Sequence, residues 1–217
     1  MSGYKTRNID VKVGALKLHL RALKDRTQYY DPDGEAKKIG ICSASWSIFG
    51  QFWQASTVLA KVVKKIDLKD RRFIELGCGL ALPSLILQHR GADITASDYH
   101  PLSKSFLDHN AKLNNLPSIP HLNLSWTEPD KKAGLFDIIL ASDVLYEPHH
   151  ADLLASVIDK IAEPKAKVLI TCPGRGYRNK LSRLLIDQGF ELTETRLPFE
   201  PDEKPPYAGR LLSYIRA

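Results

Sequence analysis

Between residues 71 and 189, short apolar runs alternate with longer amphipathic stretches, and this alternation constrains the fold more than any other feature of the chain. Strand-like runs separated by helical stretches of about 10 to 15 residues are typical of parallel β-α-β units with right-handed crossovers. The pattern therefore predicts an α/β, doubly wound and mostly parallel sheet. The predicted strands are 71–76, 92–98, 121–126, 136–143 and 166–172, and the predicted helices are 82–91, 101–115, 151–162 and 177–189.

The last two predicted strands, 190–197 and 210–216, have no helix between them. A connection without a crossover helix joins antiparallel strands more readily than parallel ones. The segment from 198 to 206 between them is rich in proline and is predicted to be a loop. The sheet should therefore end with an antiparallel last strand.

The N-terminal part of the chain follows a different pattern. Residues 9–13 and 16–22 alternate apolar and polar side chains around a short turn, which predicts a β-hairpin. A polar, turn-rich stretch from 25 to 40 is predicted to be a loop. Residues 52–66 then show apolar positions at helical spacing, with lysines on the opposite face.

Length and composition indicate one globular unit, with 217 residues of which 43% are hydrophobic and 26% charged. Within it we expect residues 1–45 to form an N-terminal extension with the hairpin, and residues 46–217 to form the main domain. The three cysteines are scattered, which favours neither disulfides nor a zinc site. With no leader-like start and no apolar run of about 18 residues, we expect a protein of the cytosol or nucleus, and assign it to the cytoplasm. Because the helical faces carry adequate charge, we expect a monomer.

The formal net charge of +6 is concentrated near the N-terminus, since residues 1–72 hold 15 Lys and Arg against 7 Asp and Glu. A basic surface can bind nucleic acid or acidic partners. Here Lys12, Lys17, His19 and Arg21 alternate with apolar residues of the predicted hairpin, as on the solvated face of a strand pair. We therefore expect a hydrophilic hairpin face and no nucleic-acid partner.

The first strand of the α/β region runs directly into the sequence ELGCGLALPS, residues 75–84. Ligands of open parallel sheets bind beyond the carboxyl ends of the strands, and glycines at the first strand–helix turn let the backbone approach a cofactor. Gly77 and Gly79 occupy this turn. Leu82 stands where the dinucleotide fingerprint requires a third glycine, which disfavours a nicotinamide or flavin enzyme.

Polar or aromatic residues also mark the ends of the next three strands. Asp98 follows Gly77 by 21 positions, where an acid that binds a ribose hydroxyl pair is expected. The third strand ends at Ser125-Trp126, and the fourth delivers Asp143 at the end of a buried run. Either aspartate could instead only open a turn or cap a helix. Because carboxyl ends of parallel strands meet at one edge, the sequence predicts a site there.

Four motifs in this order, IELGCGLALPS, ITASDYHP, LSW and ASDVLY, resemble those of the seven-β-strand S-adenosylmethionine-dependent methyltransferases of family 16. That group includes many protein-lysine methyltransferases and nicotinamide N-methyltransferase-like enzymes. The resemblance covers roughly residues 45 to 195. It implies a Rossmann-like sheet of seven strands and S-adenosylmethionine as cofactor. The glycine motif is generic, whereas the acid-x-x-aromatic motif Asp143-Val144-Leu145-Tyr146 is specific.

Carried over to this sequence, the resemblance implies a cofactor site around the glycine loop. Gly77 and Gly79 would pass their backbone along the methionine part of the cofactor, with Cys78 as a small filler between them. Asp98, followed by Tyr99, would hold the ribose. The other cofactor residues that the resemblance implies are Trp53, Glu75, Trp126 and Ala141.

The resemblance also implies that Asp143 and Tyr146 line the acceptor pocket. A lysine amine has a reference pKa of about 10.4 and must lose a proton before it can attack a methyl group. Asp143 would position the amine by a charge-assisted hydrogen bond and only secondarily act as a base, while Tyr146 would wall the channel. The chain departs from the family at Ala81, where many relatives have a third glycine.

The first hypothesis is therefore methyl transfer to a lysine of a protein substrate. A small-molecule amine N-methyltransferase is the second, and it predicts that the N-terminal 45 residues cover the pocket as a lid. A non-catalytic module that binds nucleic acid through the basic N-terminal face is the third. Nucleic-acid base methylation ranks lower because the motif after the fourth strand lacks proline. His149 and His150 are predicted to be surface residues without a metal.

Overall fold

The computed structural model describes residues 3–127, 134–174, 176–196 and 207–217. Its strands are β1 (Thr6–Val13), β2 (Leu16–Leu23), β3 (Arg72–Leu76), β4 (Asp93–Asp98), β5 (His121–Asn123), β6 (Phe136–Ser142), β7 (Ala162–Cys172), β8 (Glu191–Arg196) and β9 (Arg210–Arg216). Its helices are α1 (Glu35–Lys38), α2 (Ser43–Trp46), α3 (Gln54–Val63), α4 (Leu82–His89), α5 (Ser103–Leu113), α6 (His150–Ile161) and α7 (Arg178–Asp187).

Seven of these strands form one central sheet in the order β5-β4-β3-β6-β7-β9-β8. Strands β3 to β7 run parallel, and β9 runs antiparallel to both of its neighbours. The predicted α/β class with an antiparallel last strand is therefore confirmed. The proline-rich loop predicted from 198 to 206 lies outside the described residues.

The central strands are buried on both faces because apolar side chains point alternately to the two sides of the sheet. Phe73 of β3 and Ile138 of β6 are paired in register and belong to one apolar cluster, with α3, α4 and α5. The next pair, Ile74 and Ile139, belongs to a second apolar cluster, which includes residues of α6 and α7. Helices on both faces thus leave the ends of the strands as the place for a ligand.

The predicted hairpin is formed by β1 and β2, which pair antiparallel. The free edge of β2 is covered by α5, because the backbone N–H groups of His19 and Arg21 donate to the side chains of Asn114 and Asn110 at 2.8 and 2.7 Å. Leu20 is fully buried in the apolar cluster beneath. The hairpin is thereby docked on the main sheet's helices, and its edge is closed to further strand pairing.

The exposed face of the hairpin carries charged side chains, as the alternation predicts. Asp10 lies between two basic neighbours and pairs with Lys17 at 2.7 Å and with His19 at 2.6 Å. All three side chains are about half exposed. Such solvent-exposed pairs contribute little to stability, so the hairpin is held mainly by its buried face.

Some element boundaries differ from prediction. The stretch from 25 to 40, predicted to be a loop, contains the four-residue helix α1, and the equally short α2 follows it. One helical turn is too short to show an apolar period, so neither helix could be predicted from the spacing of apolar residues. Strand β5 is shorter than predicted and ends at Asn123. No helix in the described ranges is long and apolar enough to cross a membrane.

Candidate functional site

A cavity of about 580 Å³ opens at the carboxyl edge of the central sheet. This volume is typical of small-molecule and cofactor sites. Residues at the ends of β3, β4 and β6 line it, together with residues between 39 and 56 and the start of α6. Nine of the eleven predicted site residues line this cavity: Trp53, Gly77, Cys78, Gly79, Asp98, Tyr99, Trp126, Asp143 and Tyr146.

The glycine loop is held by backbone geometry. Gly77 and Gly79 have φ angles of 61° and 51°, in the left-handed region that favours glycine. A Cβ on Gly79 would lie 2.7 Å from the carbonyl oxygen of Phe49, so a side chain is excluded there for a second reason. The N–H of Cys78 between them donates to the carbonyl of Ser97 on β4 at 2.9 Å. The loop is therefore fixed in one conformation against the neighbouring strand.

Asp98 closes the same loop from the end of β4. One carboxylate oxygen accepts from the N–H of Gly79 at 3.0 Å, and the other accepts from the N–H of His100 at 3.0 Å. Burial raises the pKa of Asp98, and these backbone donors oppose that shift. Each carboxylate oxygen has two lone pairs, so both retain capacity for the hydroxyl donors of a ribose.

Two of the predicted site residues, Glu75 and Ala141, do not line the cavity and lie beneath it. Ala141 is buried in β6, and the next residue, Ser142, reaches the cavity. The Glu75 carboxylate instead accepts from the backbone N–H and hydroxyl of Ser84 at 3.0 and 2.5 Å, in the first turn of α4. Glu75 thus ties the start of α4 to the strand before the glycine loop.

The second carboxylate oxygen of Glu75 is buried and has no hydrogen-bond partner within the described part of the chain. Burial raises the pKa of Glu75 to about 8, and the nearby charge of Asp98 acts in the same direction. A buried, unsatisfied acceptor next to a ligand loop is unusual in a folded protein. This oxygen lies beneath the glycine loop and not in the cavity, so Glu75 acts on the loop and not on a ligand.

Ala81, where the resemblance leads us to expect a glycine, stands at the N-cap of α4. Its φ angle is 59°, in the left-handed region where an alanine is strained. Glycine would adopt this backbone conformation without strain. Pro83 follows near the first helical positions, as predicted, where its missing N–H costs no hydrogen bond.

The acid-x-x-aromatic motif presents its first and last residues to the cavity. Val144 and Leu145 are 4% and 1% exposed and anchor the segment in the core, while Asp143 and Tyr146 line the cavity. Asp143 has a φ angle of 54°, and its N–H donates to the carbonyl of Thr171 at 2.9 Å. Strained non-glycine residues of this kind occur at functional sites when the surrounding structure holds them.

His150 lines the cavity, so the prediction that it is a surface residue was wrong. Its ring is half-buried and lies edge-on to Tyr146 and Trp126, at centroid distances of 4.5 and 5.6 Å. His149 beside it is exposed, although it also borders the cavity. The sequence Pro-His-His is typical of a loop, but α6 begins at the second histidine. Nothing in the local sequence indicates that the helix begins there.

The rim of the cavity includes residues from the N-terminal part of the chain. Ile39, Ile41 and Ser45 line it, in addition to the predicted Trp53. The side chains of Ile39 and Tyr99 are 47% and 39% exposed although both border the cavity. The mouth is therefore bordered by apolar surface that remains accessible to solvent.

The residues present fit S-adenosylmethionine. The cavity has ligand size, Asp98 offers acceptors for ribose hydroxyls, and Trp126 offers an aromatic face for a base. Among the described residues, no group of three or more His, Cys, Asp or Glu side chains could hold a metal ion.

The fold and cavity together define an S-adenosylmethionine-dependent methyltransferase. A family model described as lysine methyltransferase matches residues 41–185, and the chain belongs to this family. The predicted family, cofactor and enzyme class are thereby confirmed.

Curated relatives fall into two activity groups. The chain is 34% identical to histone-arginine methyltransferase METTL23 of Xenopus laevis, over 70% of this chain and 69% of the relative. It is 28% identical to protein N-lysine methyltransferase METTL21A of Danio rerio, over 76% of each chain. The names of the relatives therefore do not by themselves choose between lysine and arginine.

Solved structures agree on the fold. The 16S rRNA N2 G1207 methyltransferase RsmC of T. Thermophilus, in complex with S-adenosylmethionine and guanosine, superposes with a TM-score of 0.67. Its identity is 14%, and the match covers 98% of this chain and 51% of that one. Magnesium protoporphyrin IX methyltransferase of Synechocystis PCC 6803 gives a TM-score of 0.57 at 16% identity, over 88% and 87% of the two chains. At these identities the likeness concerns the fold alone.

Proposed function

We propose that this protein transfers a methyl group from S-adenosylmethionine to the side-chain amine of a lysine in a protein substrate. The observation that carries the proposal is the placement of Asp143 and Tyr146 in the same cavity as the glycine loop and Asp98. The family description and the lysine methyltransferases among the relatives support it.

The cofactor supplies an activated methyl group when bound. The residues that would hold it are the loop from Gly77 to Gly79, Asp98 for the ribose and Trp126 beside the base, with Glu75 fixing the loop from below. Methyl transfer is an in-line displacement, so the main tasks of the protein are alignment of the reacting atoms and removal of water.

Asp143 is the residue that positions the amine. A carboxylate accepts strong hydrogen bonds from an amine or ammonium group and so fixes its direction. Tyr146 stays neutral, because burial raises the pKa of its phenol far above its usual range. Its ring can therefore pack against the apolar stem of a lysine without introducing a second charge.

Arginine is the competing acceptor, because the relative at 34% identity is named a histone-arginine methyltransferase. A guanidinium group is planar and is best bound by carboxylates in a bidentate arrangement. Among the described residues, Asp98 and Asp143 are the carboxylates that line the cavity, and Asp98 is engaged by two backbone N–H groups. These contacts do not choose between the two acceptors, and the family description, lysine methyltransferase, favours a lysine.

A small-molecule amine was the second hypothesis, and it required a lid from the N-terminal 45 residues. Ile39, Ile41 and Ser45 do border the cavity, while the hairpin packs on α5 instead. The exposed apolar rim at Ile39 and Tyr99 favours a segment of another protein. We also propose that residues 1–45 form an N-terminal extension and that the protein is a monomer. A cytoplasmic location is part of the same proposal, and the three free thiols support it.

Label transfer tests the proposal. Purified wild type and Asp98→Ala are incubated with a cell extract and S-adenosylmethionine labelled at its methyl group, and modified proteins are mapped by mass spectrometry. We expect methyl-lysine in one or a few proteins with the wild type and none with the variant. Label in arginine would support the arginine alternative, and label only in metabolites would contradict a protein substrate.

A further inference from the structure

His150 is the first residue of α6 and forms part of the cavity wall. Its half-buried ring lies edge-on between Trp126 and Tyr146. The same cavity contains Asp143, the residue that would position an acceptor amine. The roles assigned above include no function for this imidazole, although it lines the cavity beside the acceptor motif.

The hydrogen bond at Nδ1 fixes the tautomer of His150. Nδ1 lies 2.8 Å from the carbonyl oxygen of Val144. A carbonyl only accepts, so Nδ1 must carry the hydrogen and donate it. In the neutral ring Nε2 is then unprotonated, and it has no hydrogen-bond partner within the described part of the chain. Val144 is 4% exposed, so the anchor of the ring is itself fixed in the core.

The surroundings keep this ring neutral. Burial lowers the pKa of His150, and the adjacent His149 acts in the same direction. The bond to Val144 and the charge of Glu147 oppose that shift. Of the other groups nearby, Tyr146 is neutral, and on α6 Asp152 forms an ion pair with Lys180 of α7.

We propose that Nε2 of His150 accepts the proton that the substrate ammonium must lose before methyl transfer, which rests on the function proposed above. Asp143 is suited to orient the amine, but a carboxylate also stabilises the unreactive ammonium form. A neutral imidazole adds no such charge. The two side chains therefore divide the work: Asp143 holds the nitrogen, and His150 removes its proton.

The step balances in atoms and charge. One N–H bond of the lysine ammonium breaks, and its proton forms an N–H bond at Nε2, which leaves a neutral amine and an imidazolium. The amine lone pair then forms the nitrogen–carbon bond as the carbon–sulfur bond breaks and its electron pair stays on sulfur. The products are a methylated ammonium, S-adenosylhomocysteine and a proton, which the half-exposed imidazolium returns to solvent.

Proton transfer from lysine to histidine is uphill in water, because their reference pKa values are about 10.4 and 6.5. Burial in the cavity and the positive sulfonium of the bound cofactor both destabilise the ammonium form. These two effects bring the pKa of the amine toward that of an imidazole. The efficiency of a general base is greatest when the two values are close.

Two substitutions separate this role from a structural one. His150→Asn keeps a side-chain N–H at the position of Nδ1, so the bond to Val144 can persist, but it removes Nε2. His150→Gln places an amide near the position of Nε2, which can accept a hydrogen bond but cannot take a proton at neutral pH. His89→Gln, at the exposed end of α4, is the matched control outside the cavity.

The measurement is the single-turnover rate of methyl transfer from pH 6.5 to 10 at saturating cofactor, using the protein substrate found by label transfer. We expect both His150 variants to lose about 10- to 100-fold near pH 7, in line with general base catalysis, and to approach the wild type near pH 10. His89→Gln should follow the wild type throughout. A loss that is equal at every pH, or full rescue by Gln, would overturn the proposal.

A second readout does not need turnover. In ¹⁵N-labelled wild type with bound S-adenosylhomocysteine, Nε2 of His150 should appear as the unprotonated ring nitrogen and shift when n-butylamine is added. A protonated Nε2 in the neutral ring, or an Nε2 signal that butylamine leaves unchanged, would overturn the role of His150. A wild type that methylates no protein would contradict the proposed function instead, so the two failures are distinguishable.

Discussion

The two halves of the cavity are built by different means. At the ends of β3 and β4, a buried carboxylate holds the glycine loop through backbone N–H groups, as in the contact of Asp98 with Gly79 at 3.0 Å. At the end of β6, by contrast, the wall consists of side-chain rings, with Tyr146 and His150 edge-on at 4.5 Å. Under the proposed function, the first half would hold the cofactor, and the second would receive the acceptor.

This difference has a functional meaning. A cofactor is constant, so a site made from backbone donors and fixed carboxylates can be shared across a fold. An acceptor differs between relatives, and a wall of side chains can change without disturbing the sheet beneath it. The two halves should therefore respond independently to substitution.

The largest expected effect is on the cofactor half. Asp98→Ala removes the acceptors for Gly79 and His100 together with those available for a ribose. Charge-assisted hydrogen bonds of this kind are worth about 1.5 to 3 kcal/mol each, so affinity for S-adenosylmethionine should fall at least about 100-fold. Isothermal titration calorimetry measures this, with Asp98→Asn as the isosteric control expected to lose less. Unchanged affinity in the alanine variant would show that the ribose lies elsewhere.

Glu75 predicts a pH dependence of stability without cofactor. Its folded pKa of about 8 exceeds the ordinary value of 4.5, so the folded state retains a proton that the unfolded state releases. Stability is therefore fully present below about pH 4.5 and falls as pH rises through 8, by a few kcal/mol. Glu75→Gln cannot ionise and should lose this slope. Urea unfolding of both proteins between pH 5 and 9 measures the free energy of unfolding at each pH. The same pH dependence in both proteins would contradict the raised pKa of Glu75.

Gly79→Ala tests the close contact at the loop. The added Cβ would lie 2.7 Å from the carbonyl of Phe49 at a φ of 51°, so both the contact and the backbone are unfavourable. Gly91→Ala is the matched control, because its φ is also positive, at 76°, with open space around it. We expect about 2 to 3 kcal/mol of destabilisation for the first and about 1 for the second by chemical denaturation. Equal losses would mean that the contact with Phe49 relaxes freely.

The smallest effect is expected for Ala81→Gly. Glycine relieves the strain at φ 59°, but it removes a buried methyl group and increases the entropy of the unfolded chain. These terms nearly cancel, so stability should change by less than about 1 kcal/mol and cofactor affinity by less than about threefold. Thermal unfolding and calorimetry measure the two quantities. A gain of several kcal/mol would show that alanine strains this loop far more than its geometry suggests.

The cofactor half of the cavity could be predicted from the sequence more completely than the acceptor half. Gly77, Gly79 and Asp98 were found from spacing alone, because a strand–turn–helix unit places its loop and the next strand end at fixed distances. Asp143 was predicted at this edge because it follows the fourth strand, whereas Tyr146 was expected there only through the resemblance to the family. The positions of the glycines and of the two aspartates are local consequences of chain geometry.

The residues that were missed depend on packing between distant segments. His150 reaches the cavity because α6 begins there and Trp126 comes from the end of another strand. Ile39 and Ile41 reach the rim through a stretch that carries no apolar period. Neither contact leaves a periodic trace in the sequence, so only the tertiary structure reveals them.

Calorimetric titration of S-adenosylmethionine into the wild type and Asp143→Asn tests most directly whether the two halves of the cavity act independently. Asparagine tolerates the left-handed backbone of this position, so the variant should remain folded. Independence of the two halves predicts that both proteins bind the cofactor with affinities within about threefold of each other, while only the wild type transfers methyl groups at full rate. A loss of cofactor affinity in Asp143→Asn comparable to that in Asp98→Ala would contradict it.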